Sequence, residues 1–192
     1  MKRRRLVYVI GPSGAGKDSV LRWVSEHAPR GLDLHIARRT ISRAANDPSE
    51  DHEAVSVAEF QRLASEGAFA LHWEANELQY GVRHAELDPL RRGAWVLVNG
   101  SRAYLPQARQ RLPGLVVAYV YTSPDVLRAR LLARGRETPE QIEARLARSQ
   151  GLVIPSDQVD VVIDNDGTLE QAGQQLLTAL QHADCAADRP PD

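Results

Sequence analysis

A glycine-rich stretch near the start of the chain, GPSGAGKDS at residues 11–19, has the residue types that bind phosphate groups. Gly11, Gly16 and Lys17 fit the pattern G-x-x-x-x-G-K-[ST], in which backbone N–H groups and the lysine surround the phosphates of a nucleotide. The apolar strand pattern before the stretch and the helical pattern after it favour this interpretation over a chance glycine turn. The stretch predicts a nucleotide site formed by Gly11, Pro12, Ser13, Gly14, Ala15, Gly16, Lys17, Asp18 and Ser19.

One position of this loop departs from the pattern. The residue after Lys17 should carry the hydroxyl that holds the metal ion, but it is Asp18, and a serine follows only at Ser19. Mg²⁺ accepts carboxylate oxygen readily, and negative charge is tolerated at a helix N-terminus. We therefore predict a metal site at Asp18 and Ser19, with Asp18 holding Mg²⁺ directly or through a water and Ser19 also serving the phosphates. The alternative is that Asp18 is only a helix cap.

A second group of candidate residues is the arginine-rich segment RARLLARGRETPEQIEARLARS at residues 128–149. Taken alone, such a segment is typical of a solvated pair of amphipathic helices. Beside a phosphate loop it indicates a lid over about 134–150, because phosphoryl transfer needs guanidinium groups to spread the charge of the transferring group. The predicted catalytic residues are Lys17, Arg134, Arg145 and Arg148.

Two polar segments are candidates for binding an anionic acceptor. Residues 37–53 lack a clean period and carry Arg39, Arg43 and His52, and a guanidinium fits phosphate through two hydrogen bonds. The segment VNGSRAY at 98–104 follows a predicted strand, and strand ends form the ligand crevice of open α/β sheets. This places Asn99, Ser101 and Arg102 near the substrate. An exposed basic loop and an ordinary strand-end turn are the respective alternatives.

The elements that must position these residues alternate along the chain. Short apolar runs predict buried strands, and capped amphipathic segments between them predict helices. The alternation predicts an α/β fold with a parallel sheet covered on both faces. The predicted strands are 6–10, 95–98, 115–121 and 159–164, the predicted helices begin after Lys17, Ser56, Ser123, Thr138 and about 168, and residues 183–192 are predicted to be a disordered tail.

The composition limits the class of protein. A formal net charge of −1 gives no reason to expect nucleic acid as the main partner. The single cysteine, Cys185, excludes an internal disulfide framework, and the histidines show no metal-ligand spacing. No stretch approaches the roughly 20 apolar residues of a membrane span, so we expect a cytoplasmic protein without a membrane partner. The oligomeric state is not given by the sequence, and a homodimer is one option.

Taken together, these motifs resemble the guanylate-kinase-like branch of the P-loop nucleoside monophosphate kinases. The resemblance runs from about residue 6 to 180 and includes GPSGAGK, ISR, LQYGV, RGRETPEQIEARL and IDNDG. It implies a three-layer α/β fold in one kinase domain over 1–182, with an acceptor-binding region at about 37–85. It also implies that Asn165 and Asp166 lie near adenine and that Tyr80 binds substrate.

The departures from that resemblance concern the acceptor. Guanylate kinases read guanine with a glutamate and a serine or threonine, at positions that are Leu71 and Val82 here. Their second acceptor arginine falls near Asn46, and their phosphate-binding tyrosine falls on His52. A pocket that loses its polar groups loses most of its discrimination for a base. Arg43 stands at the position of a phosphate-binding arginine of that family. The resemblance therefore implies that phosphate recognition is retained and base recognition is not.

The sequence is more similar to the ribose 1,5-bisphosphate phosphokinase family. GPSGxGKDS, VLVNGSRAxLPQARxR, RGRE and NDG stand here almost as that family has them, and KDS is its own form of the loop. The resemblance implies transfer of the γ-phosphoryl group of ATP, with Mg²⁺, to the 1-phosphate of the sugar phosphate ribose 1,5-bisphosphate. Two alternatives stay open: a guanylate or other small-phosphate kinase, and a non-catalytic guanylate-kinase-like interaction module.

Overall fold

The computed structural model describes residues 5–43, 51–135 and 137–187. Its main sheet is made of parallel strands in the order β2-β7-β1-β8-β9. The predicted strands are confirmed, and a short one at 34–36 is added. The strands of the sheet are β1 (Leu6–Ile10), β2 (Leu34–Ile36), β7 (Trp95–Asn99), β8 (Val116–Tyr121) and β9 (Val161–Asp164).

Both faces of this sheet are covered by other elements. The central strand β1 is apolar at every position, so it contributes side chains to a core on each face. In β1, Val7 and Val9 face helices α1 (Lys17–His27) and α6 (Leu169–Ala187). Leu6, Tyr8 and Ile10 belong to the core on the opposite face, which includes α3 (Leu105–Arg111). All five residues of β1 are at most 1% exposed. This burial fixes the start of the phosphate loop, which follows Ile10 directly.

A second, four-stranded sheet lies in the predicted acceptor-binding region. Its strand order is β4-β3-β6-β5, with β3 antiparallel to β6 and β5 antiparallel to β6. The prediction that 37–53 is irregular is therefore wrong for its two ends, which form three-residue strands too short to show a period. The strands are β3 (Arg39–Ile41), β4 (His52–Ala54), β5 (Phe69–Ala75) and β6 (Leu78–Arg83), and helix α2 (Val57–Ser65) connects β4 to β5.

The predicted lid consists of the end of α4 (Pro124–Arg134) and helix α5 (Pro139–Gly151). The two helices pack through a small apolar cluster of their own, made by Leu127, Leu131, Ile142 and Leu146. Thr138 and Gln141 form a complete capping box at the start of α5. The start of α5 is therefore fixed by local sequence, as predicted from the Thr-Pro-x-Gln pattern.

The last helix continues farther than the sequence suggested. Helix α6 ends at Ala187, so the prediction of a disordered tail is wrong for 183–187, while 188–192 lie outside the described residues. Asn46 and Arg136, two positions considered above, also lie outside them. Two 3₁₀ segments, His84–Arg92 and Ser156–Gln158, complete the described chain. None of the described helices combines the length and apolar character needed to cross a membrane.

Candidate active site

The phosphate loop connects β1 to α1, and two of its glycines are required by close contacts. A Cβ on Gly11 would lie 2.4 Å from the carbonyl oxygen of Val120 in β8. Gly16, the residue before α1, has a φ of 86° and faces the side-chain amide of Asn165. Neither position accepts a side chain without displacement of its neighbour. The loop is thus packed tightly at both of its ends.

Lys17 begins helix α1 and turns back into the loop. Its Nζ donates to the carbonyl oxygens of Gly11, at 3.1 Å, and Pro12, at 3.0 Å. Burial lowers the pKa of Lys17 from 10.5 to about 8, Asp18 opposes this shift, and Arg39, Arg102 and Arg145 add to it. Several cationic groups thus lie around one amine, an arrangement that favours the binding of a polyanion.

Asn165 and Asp166 hold the loop and its surroundings. The Nδ2 of Asn165 donates to the carbonyl oxygen of Ala15 at 2.6 Å, and the residue is only 3% exposed. Asp166 accepts a hydrogen bond from the backbone N–H of Ser123 at 2.7 Å. The amide of Asn165 therefore supports the phosphate loop from behind, and the expectation that Asn165 and Asp166 lie near adenine stays a prediction.

Asp18 is held by two residues of the predicted acceptor side. Its Oδ1 accepts from the Nδ2 of Asn99 at 2.6 Å and from the Nη2 of Arg39 at 3.1 Å. Arg39 also donates to the carbonyl oxygen of Asn99 at 3.4 Å, and its guanidinium lies over the ring of Tyr80. The structure thus brings together Asp18, Arg39, Asn99 and Tyr80, which the sequence had assigned to two separate sites.

Of the predicted lid arginines, Arg145 reaches the loop. Its Nη2 donates to the Oγ of Ser13 at 2.5 Å, and its other terminal nitrogen forms an ion pair with Glu137. Arg134 and Arg148 are exposed and make no hydrogen bond or ion pair within residues 5–43, 51–135 and 137–187. In the absence of ligand, α5 therefore contacts the phosphate loop through Arg145.

Arg102 makes its hydrogen bonds to the predicted lid. It follows β7 as expected, but its guanidinium donates to the carbonyl oxygens of Ser149, at 2.9 Å, and Leu152, at 3.1 Å. A third, longer contact of 3.4 Å reaches the Oγ of Ser149. A cation that binds the last carbonyls of a helix stabilises that helix end. Arg102 thus connects the segment after β7 to the end of α5, and its role as a substrate ligand stays a prediction.

The acceptor side carries an aromatic wall rather than a polar base pocket. Trp73 stacks on Tyr80, with the ring centroids 5.7 Å apart. Trp73 also stacks on Tyr104 at the same centroid distance. Leu71 and Val82 are partners in the β5–β6 ladder, and both are 0% exposed. No side chain at either position is available to read a base.

The remaining predicted residues occupy the same region with fewer specific contacts. Arg43 is half-buried just after β3, and His52 pairs with Arg39 in the β3–β4 ladder. Ser101 donates its backbone N–H to the Oη of Tyr8 at 2.9 Å. Ser19 is half-buried in the first turn of α1, and no described residue contacts its hydroxyl through a hydrogen bond. Their roles toward ligands stay predictions.

Sequence reasoning missed two residues that shape the site. Tyr8 is fully buried in β1, its hydroxyl holds the turn after β7, and burial raises the pKa of that hydroxyl above its ordinary value. Arg130 of α4 places a guanidinium nitrogen 3.9 Å from the position of a Cβ on Gly16. Tyr8 lies in an apolar run without any local signal, whereas Arg130 could have been found as another arginine of the lid segment.

A cavity of about 500 Å³ opens beside the phosphate loop, and its lining is mainly apolar and aromatic. It lies between Pro12, the ends of β8 and β9, and the C-terminal part of α5, and none of the described side chains that line it is charged. Its lining includes the exposed Val153 and Val162. Because phosphate groups require polar or cationic partners, we place the ligand phosphates in the loop and not in this cavity.

Comparisons with known proteins agree with this geometry. The guanylate kinase family matches residues 3–183. Ribose 1,5-bisphosphate phosphokinase PhnN of Thiobacillus denitrificans is 42% identical over 97% of either chain. The protein of that name from Janthinobacterium is 46% identical over 93% of this chain, which spans 39% of that relative's length.

A solved structure supports the fold alone. The crystal structure of guanylate kinase from Anaplasma phagocytophilum superimposes with a TM-score of 0.66 at 18% identity, covering 95% of this chain and 87% of that one. The resemblance drawn from the sequence motifs is confirmed by these matches. The chain belongs to the guanylate kinase family and, within it, to the group that contains the ribose 1,5-bisphosphate phosphokinases.

Proposed function

We propose that this protein is a ribose 1,5-bisphosphate phosphokinase that uses ATP and Mg²⁺ and releases 5-phospho-α-D-ribose 1-diphosphate and ADP. The observation that carries the proposal is the pair Leu71 and Val82, which are buried, apolar and matched to each other across two strands. The site has cationic groups for phosphate on both the phosphate-loop side and the acceptor side, but neither Leu71 nor Val82 can hydrogen-bond a base. Curated relatives that are 42–49% identical to this chain carry the same activity in their names.

The chemistry of this reaction suits the residues that are present. An oxygen of the acceptor's 1-phosphate attacks the γ-phosphorus of ATP, and the bond from that phosphorus to the β-phosphate oxygen breaks. The attacking oxygen is already anionic at neutral pH, so no general base is required. Catalysis then consists of alignment and of charge neutralisation by Lys17 and Arg145, with Arg39 and Arg43 toward the acceptor. This agrees with a site rich in guanidinium groups.

Two oxygen atoms of the site fit Mg²⁺. The Oδ2 of Asp18 accepts no hydrogen bond from any residue that the structure describes, and the Oδ1 of Asn99 is buried without a hydrogen-bond partner among the same residues. Mg²⁺ binds through one or two such hard oxygens together with phosphates and waters. The metal, when bound, would neutralise charge on the β- and γ-phosphates, and Asp18 is the residue best placed to hold it.

The first test is a comparison of acceptors. With ATP and Mg²⁺, kcat/KM should be at least about a thousandfold higher for ribose 1,5-bisphosphate than for GMP, because positions 71 and 82 offer the polar groups of guanine no hydrogen-bond partners and unpaired polar groups are strongly disfavoured. Product formation is followed by phosphorus NMR and by ADP release. Comparable efficiency on GMP would favour a guanylate kinase, and absence of turnover with any acceptor would favour the interaction module.

A second test concerns Arg102. Since its hydrogen bonds hold the end of α5, Arg102→Ala should lower kcat about tenfold through a less well positioned lid, with little change in KM for the acceptor. Arg102→Lys should recover part of this loss, because an ammonium can still bind one of the two carbonyls. A large rise in the acceptor's KM with unchanged kcat would instead return Arg102 to the substrate site.

A further inference from the structure

The contact between Asp18 and Arg39 joins the two halves of the site. Asp18 lies in the first turn of α1, on the phosphate-loop side, whereas Arg39 begins β3 in the acceptor-side sheet. Their ion pair of 3.1 Å is the point where a group predicted for the metal meets a group predicted for the acceptor. The Asp18 side chain is 46% exposed and that of Arg39 only 11%, so the carboxylate is the more accessible partner.

Neither partner can perform its ligand-binding role without changing this contact. A guanidinium that binds a phosphate dianion through two hydrogen bonds has a stronger partner than a half-exposed carboxylate. Once Arg39 turns to a phosphate, Asp18 keeps the hydrogen bond from the amide of Asn99 and the attraction of Lys17 but loses its ion pair with Arg39. A cation can then take the place of the guanidinium beside this carboxylate.

We propose that Asp18 and Arg39 form an exchangeable latch between the donor and acceptor sites. In the ligand-free protein each neutralises the other. When the phosphate of the acceptor takes Arg39, the carboxylate of Asp18 is released to Mg²⁺, so acceptor and metal-bound ATP strengthen each other's binding. This coupling is reciprocal by thermodynamic linkage. The inference rests on the proposed function for the identity of the acceptor, but not for the existence of the latch.

The test measures binding rather than turnover. The quantity is the magnesium factor, defined as the Kd of β,γ-imido-ATP in EDTA divided by its Kd in saturating Mg²⁺, both obtained by calorimetry. Arg39→Gln frees Asp18 permanently and should raise the magnesium factor about tenfold over the wild type, whereas Asp18→Asn should reduce it below the wild-type value. Arg38→Gln is the matched control, because Arg38 pairs with Asp51 and donates to His52 but does not touch Asp18.

The acceptor provides the second arm of the experiment. Saturating ribose 1,5-bisphosphate should raise the magnesium factor of the wild type about tenfold and should have no such effect on Arg39→Gln. A magnesium factor in Arg39→Gln equal to that of the wild type and of Arg38→Gln would overturn the latch. If ribose 1,5-bisphosphate binds but leaves the wild-type factor unchanged, the latch is also wrong while the substrate assignment stands. If Arg39→Gln raises the factor and ribose 1,5-bisphosphate does not bind, the latch stands and the proposed function fails.

Discussion

Lys17→Met should lower kcat/KM for ATP by about a thousandfold or more, since a positioned cation at the transferring phosphoryl group contributes on this scale in phosphoryl-transfer enzymes. The structure adds a more specific expectation about protonation. The Lys17 amine is buried among Arg39, Arg102 and Arg145, and its pKa in the ligand-free protein is about 8. Above that pH the amine is largely neutral before ATP binds.

ATP binding should therefore take up a proton as the pH rises through 8, because the triphosphate favours the charged amine and raises its pKa again. Calorimetry in two buffers with different ionisation enthalpies measures this uptake. It should be small at pH 6.5, grow between pH 8 and 9, and be absent in Lys17→Met. Proton uptake that persists unchanged in Lys17→Met would assign it to another group.

The same shift makes a prediction for the stability of the ligand-free protein. The folded-state pKa of Lys17 lies below its ordinary value of 10.5, so between pH 8 and 10.5 the unfolded chain binds more protons at this residue than the folded one. The contribution of Lys17 to the free energy of unfolding therefore rises with pH in that window. Lys17→Met should be more stable than the wild type at pH 7, and the difference should shrink toward pH 10.5.

The parts of this site that the sequence predicted are those with a local signal. The signals for the phosphate loop and for the start of α5 each lie within a few consecutive residues, so spacing alone identified them. The main-sheet strands were likewise visible as continuous apolar runs. In the second sheet, β3 and β4 are each only three residues long and left no comparable pattern.

The roles that could not be predicted depend on contacts between distant parts of the chain. Asn165 meets Ala15 across 150 positions, and Arg102 meets Ser149 across 47. In both cases the residue type was recognised as polar and functional, but its partner is set by how the strands are ordered in the sheet. Asp18 is the clearest example, since a cation was expected beside it but no pattern in the sequence identifies Arg39.

Arg145→Ala is the second change for which we expect a large effect, a fall of about a hundredfold in kcat. Arg145 is the residue through which α5 contacts the phosphate loop, by way of Ser13, and Glu137 holds the opposite side of the guanidinium. This arrangement orients a cation toward the loop while leaving it a weak neutral partner that a phosphate can replace. The gain on replacement should be greatest in the transition state, where charge on the transferring group is spread over its oxygens.

Separate measurements of kcat and of the affinity for an ATP analogue test this role. In Arg145→Ala the Kd of β,γ-imido-ATP with Mg²⁺ should change by less than about fivefold while kcat falls, as expected for an interaction made mainly in the transition state. Arg148→Ala is the informative comparison, because Arg148 lies one turn away on the same helix, is exposed and makes no hydrogen bond or ion pair with any described residue. If α5 keeps its present orientation during catalysis, Arg148→Ala should cost at least tenfold less in kcat than Arg145→Ala. Equal losses of kcat in the two variants would mean that the helix rotates on closure and presents both arginines. If Arg145→Ala raises only the KM for ATP, Arg145 is a ground-state ligand and there is no reason to regard α5 as a catalytic lid.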